Sequence, residues 1–186
     1  MTIIDEMKDD IKKVLYSQQQ ISERLEQLGE KLTADYAGKN PLVLCVLKGG
    51  SVFMADIVRS MKVQLQMDFM AVSSYSGTAT TGEVRVVKDL ESSIEGREIL
   101  IVEDIVDTGL TLSYLIQQLS SRKPASINIC ALLLKKKTDP SEQRHVDVKY
   151  VGFECPDEFV VGYGLDYNEK YRNLPYIGVL KEEVYA

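Results

Sequence analysis

The chain has 186 residues, 45% of them hydrophobic and 27% charged, which is enough for one substantial core and too few for two comfortable domains. Its 28 acidic and 22 basic side chains leave a formal charge of −6, which argues against a general electrostatic hold on nucleic acid or on an anionic membrane. No apolar run approaches the length needed to cross a bilayer, and Met1 to Asp10 carries four acids without the apolar core of a signal peptide, so the expected location is the cytoplasm.

Ser17 and Gln20 have the spacing of a capping box, and Ile21, Leu25, Leu28 and Leu32 then fall on one helical stripe. A first long helix is expected to about Gly38. After Pro41, Leu42 to Leu47 is almost wholly apolar and reads as the first core strand. It ends in Leu47-Lys48-Gly49-Gly50-Ser51, where two glycines let a ligand approach the backbone and Ser51 is placed to cap a helix through Val52, Phe53, Ala55 and Val58. A lysine and two glycines at such a turn are, taken alone, more often structural than functional. Gln64 to Ser73 reads as the second strand. Ser74 to Gly82 is small and polar without a packing stripe, either a hairpin tip or a segment that moves when ligand is absent. Val84 to Val87 returns from it as a strand.

Ile99 to Thr111, reading Ile-Leu-Ile-Val-Glu-Asp-Ile-Val-Asp-Thr-Gly-Leu-Thr, organises the rest. Its apolar residues occupy both parities, as in a strand buried on both faces of a parallel sheet. Glu103 and Asp104, followed by Asp107, mark the carboxyl end of that strand, since a packed sheet tolerates carboxylates poorly. Thr108, Gly109 and Thr111 form a polar turn into a helix carrying Leu112, Leu115, Ile116 and Leu119. Such a turn presents unpaired amides and the positive end of a helix dipole, and so holds a phosphate without any lysine. The adjacent carboxylates suit a hydrated Mg²⁺ or sugar hydroxyls, and Asp107 is left to exchange protons. Neither a Walker A lysine nor a Gly-x-Gly-x-x-Gly fingerprint is present.

Ile127 to Leu134 is a further apolar strand, running into Lys135-Lys136-Lys137. Lys136 and Lys137 read as a solvated turn. Lys135 directly follows the buried strand at the sheet edge that also carries Asp107, where α/β ligand sites form. From Val148 on, short strands at Val148 to Phe153, Phe159 to Gly162 and Tyr176 to Leu180 suggest a small separate lobe. Cys45, Cys130 and Cys155 are odd in number and far apart, as befits buried free thiols. The lone His145 lies in a polar stretch with no partner pattern for a triad or a metal site.

The run Val-Glu-Asp-Ile-Val-Asp-Thr-Gly resembles the phosphoribosyl pyrophosphate (PRPP) signature of type I phosphoribosyltransferases, in its hypoxanthine-guanine version. Pro156-Asp157-Glu158-Phe159-Val160-Val161-Gly162-Tyr163-Gly164-Leu165-Asp166-Tyr167-Asn168-Glu169 is a second extended match to that branch. The likeness spans about Leu42 to Leu180, with gaps. It implies one α/β domain over residues 1–186. A mostly parallel central sheet flanked by helices, the core at about 38–147, would carry a small hood built from about 1–20 and 148–186.

By that resemblance, the activity is Mg²⁺-dependent transfer of the 5-phosphoribosyl group from PRPP to N9 of hypoxanthine or guanine, giving IMP or GMP and pyrophosphate. Lys48 and Gly49 would hold pyrophosphate, with a non-proline cis peptide between Leu47 and Lys48. Ser74 and Tyr75 would open a catalytic lid. Glu103 and Asp104 would grip ribose hydroxyls or the metal, and Asp107 would take a proton from the purine. The loop of Thr108, Gly109, Leu110 and Thr111 would anchor the 5′-phosphate, with Leu110 standing where some relatives carry a lysine. Lys135 would donate to the purine O6, Phe159 stack on the ring and the Val160 main chain read its edge, although both residues also suit plain hood core. Asp166 would lie near the metal and the purine, and Arg172 would contact pyrophosphate. The resemblance further implies a homodimer or homotetramer. A PRPP-sensing nucleic-acid-binding regulator and a xanthine- or pyrimidine-preferring transferase are the alternative readings.

Overall fold

The computed structural model describes residues 7–75 and 83–186; Ser76 to Gly82 of the expected lid, and the side chains of Ser74 and Tyr75, lie outside the described residues. Nine strands and four α-helices are described. The strands are β1 (Ile11–Tyr16), β2 (Leu42–Leu47), β3 (Gln66–Tyr75), β4 (Glu83–Lys88), β5 (Glu98–Val106), β6 (Ser126–Lys135), β7 (Tyr150–Cys155), β8 (Val160–Val161) and β9 (Ile177–Leu180). The helices are α1 (Gln18–Asp35), α2 (Gly50–Ser60), α3 (Leu110–Ser120) and α4 (Glu182–Tyr185).

Six strands form the main sheet in the order β4-β3-β2-β5-β6-β7. All its pairings are parallel except β3 with β4. The near-continuous apolar runs follow from burial on both faces, with alternate residues sent to opposite sides. Val43, Cys45, Leu100 and Val102 face Ile21, Leu25, Leu28 and Leu32 of α1 and Phe53, Met54 and Ile57 of α2. Leu42, Leu44, Ile99 and Ile101 face Leu112, Leu115 and Leu119 of α3. Helix α1 opens with the expected capping box: Gln20 N donates to Ser17 Oγ while Ser17 N donates to Gln20 Oε1. All three cysteines are buried and free.

A second, three-stranded antiparallel sheet has the order β1-β9-β8. Strand β1 was not evident in the sequence, because Ile11–Tyr16 has no buried residue and its exposed positions, Lys12 to Val14, run together without alternation. The expected small lobe also begins later than residue 148. Strand β7 lies in the main sheet, parallel to β6 through Cys130↔Tyr150 to Lys135↔Cys155, and only β8 and β9 join β1. Ser51 does not cap α2. That helix begins at Gly50, and the Ser51 hydroxyl instead donates to the Lys48 carbonyl at 2.7 Å, closing the preceding turn.

Candidate active site

The main sheet changes direction between β2 and β5: β2 connects outward to β3 and β5 connects the other way to β6. In open α/β sheets the crevice beyond such a point is where ligands bind. Here the opening shows in the register. The β2–β5 ladder stops at Cys45↔Val102, while β5 stays paired with β6 as far as Val106↔Leu134. The last four residues of β5, Glu103 to Val106, therefore run on without β2 beside them. The acids do not end the strand, as the sequence suggested. Their backbone remains in the β6 ladder, with Glu103 opposite Ala131.

The turn after β2 fills that gap. The Leu47–Lys48 peptide is cis, as the resemblance implied. Gly49 lies so close to the acid pair that a Cβ built on it would stand 1.7 Å from Asp104 Oδ2. Gly164, with φ at +100°, closes on the same turn, its own virtual Cβ only 2.3 Å from the Gly49 carbonyl. Neither position admits a side chain without movement of a neighbour.

Glu103 is 7% exposed. Burial pushes its carboxyl well above the usual range, and the neighbouring Asp104 adds to the shift. Burial also raises Asp104, opposed by a 2.8 Å hydrogen bond from Ile105 N to its Oδ1 and by the charge of Arg172. Two adjacent hard-oxygen donors whose ionised forms are penalised by burial fit a divalent cation or donating hydroxyls. Among the described residues no three acidic, thiol or imidazole side chains form a metal cage. An adjacent carboxylate pair is a donor set that Mg²⁺ commonly takes, together with waters and substrate phosphates.

The loop after β5 enters α3 through Gly109, in the left-handed region at φ +74°. Arg144 N donates to the Thr108 carbonyl at 2.8 Å and Leu110 N to Thr108 Oγ at 3.4 Å. The turn is thus braced from outside, with the first-turn amides of α3 at its mouth.

Asp107 leaves the end of β5 and meets two lysines. Lys135 Nζ is 3.3 Å from its Oδ2 and Lys137 Nζ 3.1 Å from its Oδ1. Both lysines are mostly withdrawn from solvent, at 11% and 14% exposed. The expectation of a solvated turn holds for Lys136, whose ammonium sits in the open beside Glu154. It fails for Lys137. Gln143 Nε2 ties the two strand ends together, donating to the carbonyls of Asp107 and Lys135.

On the other rim, Arg172 Nη2 pairs with Asp166 Oδ1 at 2.9 Å and with Glu169 Oε1 at 3.2 Å, while its Nη1 donates to the Gly164 carbonyl. Lys48 Nζ reaches the same Glu169 at 2.9 Å. Glu169, held low by Lys48 and then Arg172, was not singled out in the sequence. Its signal would have been an acid inside the second motif facing two cations. Phe159, partly exposed, stacks on Tyr185 at 4.9 Å and meets Tyr167 edge-on at 5.5 Å. The Val160 side chain is buried in the core.

The chain matches the phosphoribosyl transferase domain over residues 13–168. It is 54% identical to a hypoxanthine-guanine phosphoribosyltransferase of Bacillus subtilis (strain 168), over 96% of this chain and 98% of the relative. A protein of the same name from Streptococcus thermophilus (strain CNRZ 1066) is 51% identical over 96% and 98%. The crystal structure of a hypoxanthine phosphoribosyltransferase from Staphylococcus aureus, 48% identical, superposes with a TM-score of 0.91 over the whole of both chains. Coverage at this level, together with the switch-point crevice and its acid pair, places the chain in the hypoxanthine-guanine phosphoribosyltransferase family.

Proposed function

We propose that the chain transfers the 5-phosphoribosyl group of PRPP to N9 of hypoxanthine or guanine, forming IMP or GMP and releasing pyrophosphate. The observation that carries this reading is the meeting of Asp107 and Lys135 at one sheet edge, beside the crevice occupied by Gly49 and Asp104. A 6-oxopurine offers an acceptor at O6 next to a ring nitrogen. Lys135 is the donor for the first and Asp107 the proton acceptor for the second. Adenine would set its own amino donor against the Lys135 ammonium, and a buried donor facing a donor is rejected strongly.

The remaining residues divide the sugar phosphate among them. Amides of Thr108, Gly109, Leu110 and Thr111 hold the 5′-phosphate, helped by the start of α3. Glu103 and Asp104 take the ribose hydroxyls, and Lys48, the Gly49 backbone and Arg172 receive pyrophosphate once ligand replaces Glu169 as their partner. Phe159 supplies a ring face and the Val160 main chain an edge contact for the base. The lid opened by Ser74 and Tyr75 excludes water from the ribosyl cation. Mg²⁺, when bound at Glu103, Asp104 and Asp166, supplies charge neutralisation for the leaving pyrophosphate. Because the transition state is cationic at the sugar, orientation and fixed dipoles carry most of the acceleration.

Among the described residues no helix is long and apolar enough to cross a membrane. A cytoplasmic location and a homodimeric or homotetrameric assembly belong to the same reading, the latter checked by light scattering. The deciding experiment supplies purified protein with PRPP, Mg²⁺ and one free base at a time. Nucleotide from hypoxanthine and guanine, and none from adenine, supports the reading; adenine as the preferred base overturns it.

A further inference from the structure

Strand β6 ends at Lys135, and side chains two apart along an extended chain share a face. Lys137 therefore turns back toward Asp107 with Lys135, while Lys136 points away to Glu154. The Lys137 ammonium touches three acids: Asp107 Oδ1 at 3.1 Å, Asp157 Oδ1 at 3.3 Å and Glu142 Oε2 at 3.8 Å. Asp157 is itself fixed by the Thr138 amide, 3.1 Å from Oδ2, and lies 3.9 Å from Lys135 Nζ. Asp107 thus faces one cation on each oxygen: Lys135 donates a hydrogen bond to Oδ2, while Lys137 meets the buried Oδ1 as an ion pair, without a hydrogen bond.

We propose that Lys137 is a positioning residue for Asp107, holding Oδ1 so that Oδ2 stays turned toward Lys135 and the incoming base. The proposal rests on the proton-acceptor role given to Asp107 above. It explains a mechanical need. When the base arrives, Lys135 must donate to O6 and loosens its hold on Asp107. The last torsion of an aspartate is broad, so a carboxylate released on one side swings unless its other oxygen is held. Lys137 is placed to keep it still. Lys137 is mostly withdrawn from solvent, so its removal also lowers stability, and the proposal is therefore read from the split between kcat and KM and from rescue by arginine, which keeps the charge. The charged groups facing Lys137 are Asp107 and Glu142 from the loops after β5 and β6, Asp157 from the turn after β7, and Lys135 at the end of its own strand.

The test compares Lys137→Met and Lys137→Arg in the intact protein, each with and without Asp107→Asn, following kcat and both KM values. Lys137→Met is expected to lower kcat by roughly ten- to a hundredfold, within the range of acid–base contributions, with the KM for PRPP changed less than about twofold. Lys137→Arg should restore most of the rate. In the Asp107→Asn background, Lys137→Met should add almost nothing, since the group it positions is gone. An unchanged kcat in Lys137→Met overturns the proposal, as does an equal further loss in the Asp107→Asn background. If Asp107→Asn itself turns over normally, the proton-acceptor assignment falls and the proposal with it; an inactive Asp107→Asn beside a fully active Lys137→Met sinks the proposal alone.

Discussion

Gly49→Ala isolates the contact between the turn after β2 and the acid pair. The backbone there is helical, φ −56° and ψ −42°, so alanine is conformationally acceptable and by itself would stabilise by up to about 1 kcal/mol through the unfolded chain. The obstacle is one carboxylate. The new methyl would meet Asp104 Oδ2 at 1.7 Å and Cγ at 2.7 Å. To make room, the Asp104 carboxyl must rotate away from Ile105 N, which it now holds at 2.8 Å. Losing a hydrogen bond to a charged group costs about 1.5–3 kcal/mol and an off-rotamer side chain about 0.5–1.5 kcal/mol. The net loss is roughly 1–4 kcal/mol after the alanine gain. A melting curve should fall by roughly 5–10 °C at mid-range for a domain of this size. The PRPP KM should rise with it, because the proposed function sets the acid pair and the Lys48-Gly49 turn against that substrate. Asp104→Ala removes the obstructing oxygens, so adding Gly49→Ala to it should cost far less than adding it to the native chain. Native melting and native PRPP KM in Gly49→Ala, or full additivity with Asp104→Ala, would refute the packing argument.

Three further outcomes follow from the same geometry. The burial that raises Glu103 lets the folded chain hold a proton that the unfolded chain releases, so its contribution is neutral at low pH and turns unfavourable as pH climbs above the ordinary carboxylate range of about 4. Glu103→Gln should therefore melt progressively higher than the native chain, without ligand, as pH goes from 5 to 8; a difference independent of pH contradicts this. Lys135→Ala should raise the KM for hypoxanthine roughly ten- to a hundredfold, the scale of one charge-assisted hydrogen bond, and leave that for PRPP nearly alone. Equal losses for both substrates would reject its role in reading O6. Tyr185→Ala removes the ring stacked on Phe159, and since such a pair is worth about 0.5–1.5 kcal/mol, the base KM should rise up to about tenfold while Tyr185→Phe behaves as native. An improved base KM in Tyr185→Ala would mean that Tyr185 competes with the base.

What could be read from the chain before its structure was whatever local chemistry and periodicity encode. Strands β2, β5 and β6 declared themselves because burial on both faces demands unbroken apolar runs, and α1 announced its start through Ser17 and Gln20. Asp107 and Lys135 could be set at one edge because each follows a buried parallel strand. The hood strand β1 was invisible because its exposure leaves no alternation, and β7 was misassigned because pairing partners are a property of the fold rather than of Tyr150–Cys155 itself. Lys137 was set aside as part of a charged turn, although its two-residue offset from Lys135 already put both on one side of the chain. Glu169 escaped for a different reason. Its backbone is left-handed, at φ +60°, and the turn that carries it to Lys48 and Arg172 has no periodic signature.

The most direct test of the account is the single-turnover rate of Asp107→Asn with saturating PRPP, Mg²⁺ and hypoxanthine. Loss of the proton acceptor predicts a chemical step slower by about 10²- to 10⁴-fold. A native rate of IMP formation in that variant would contradict it.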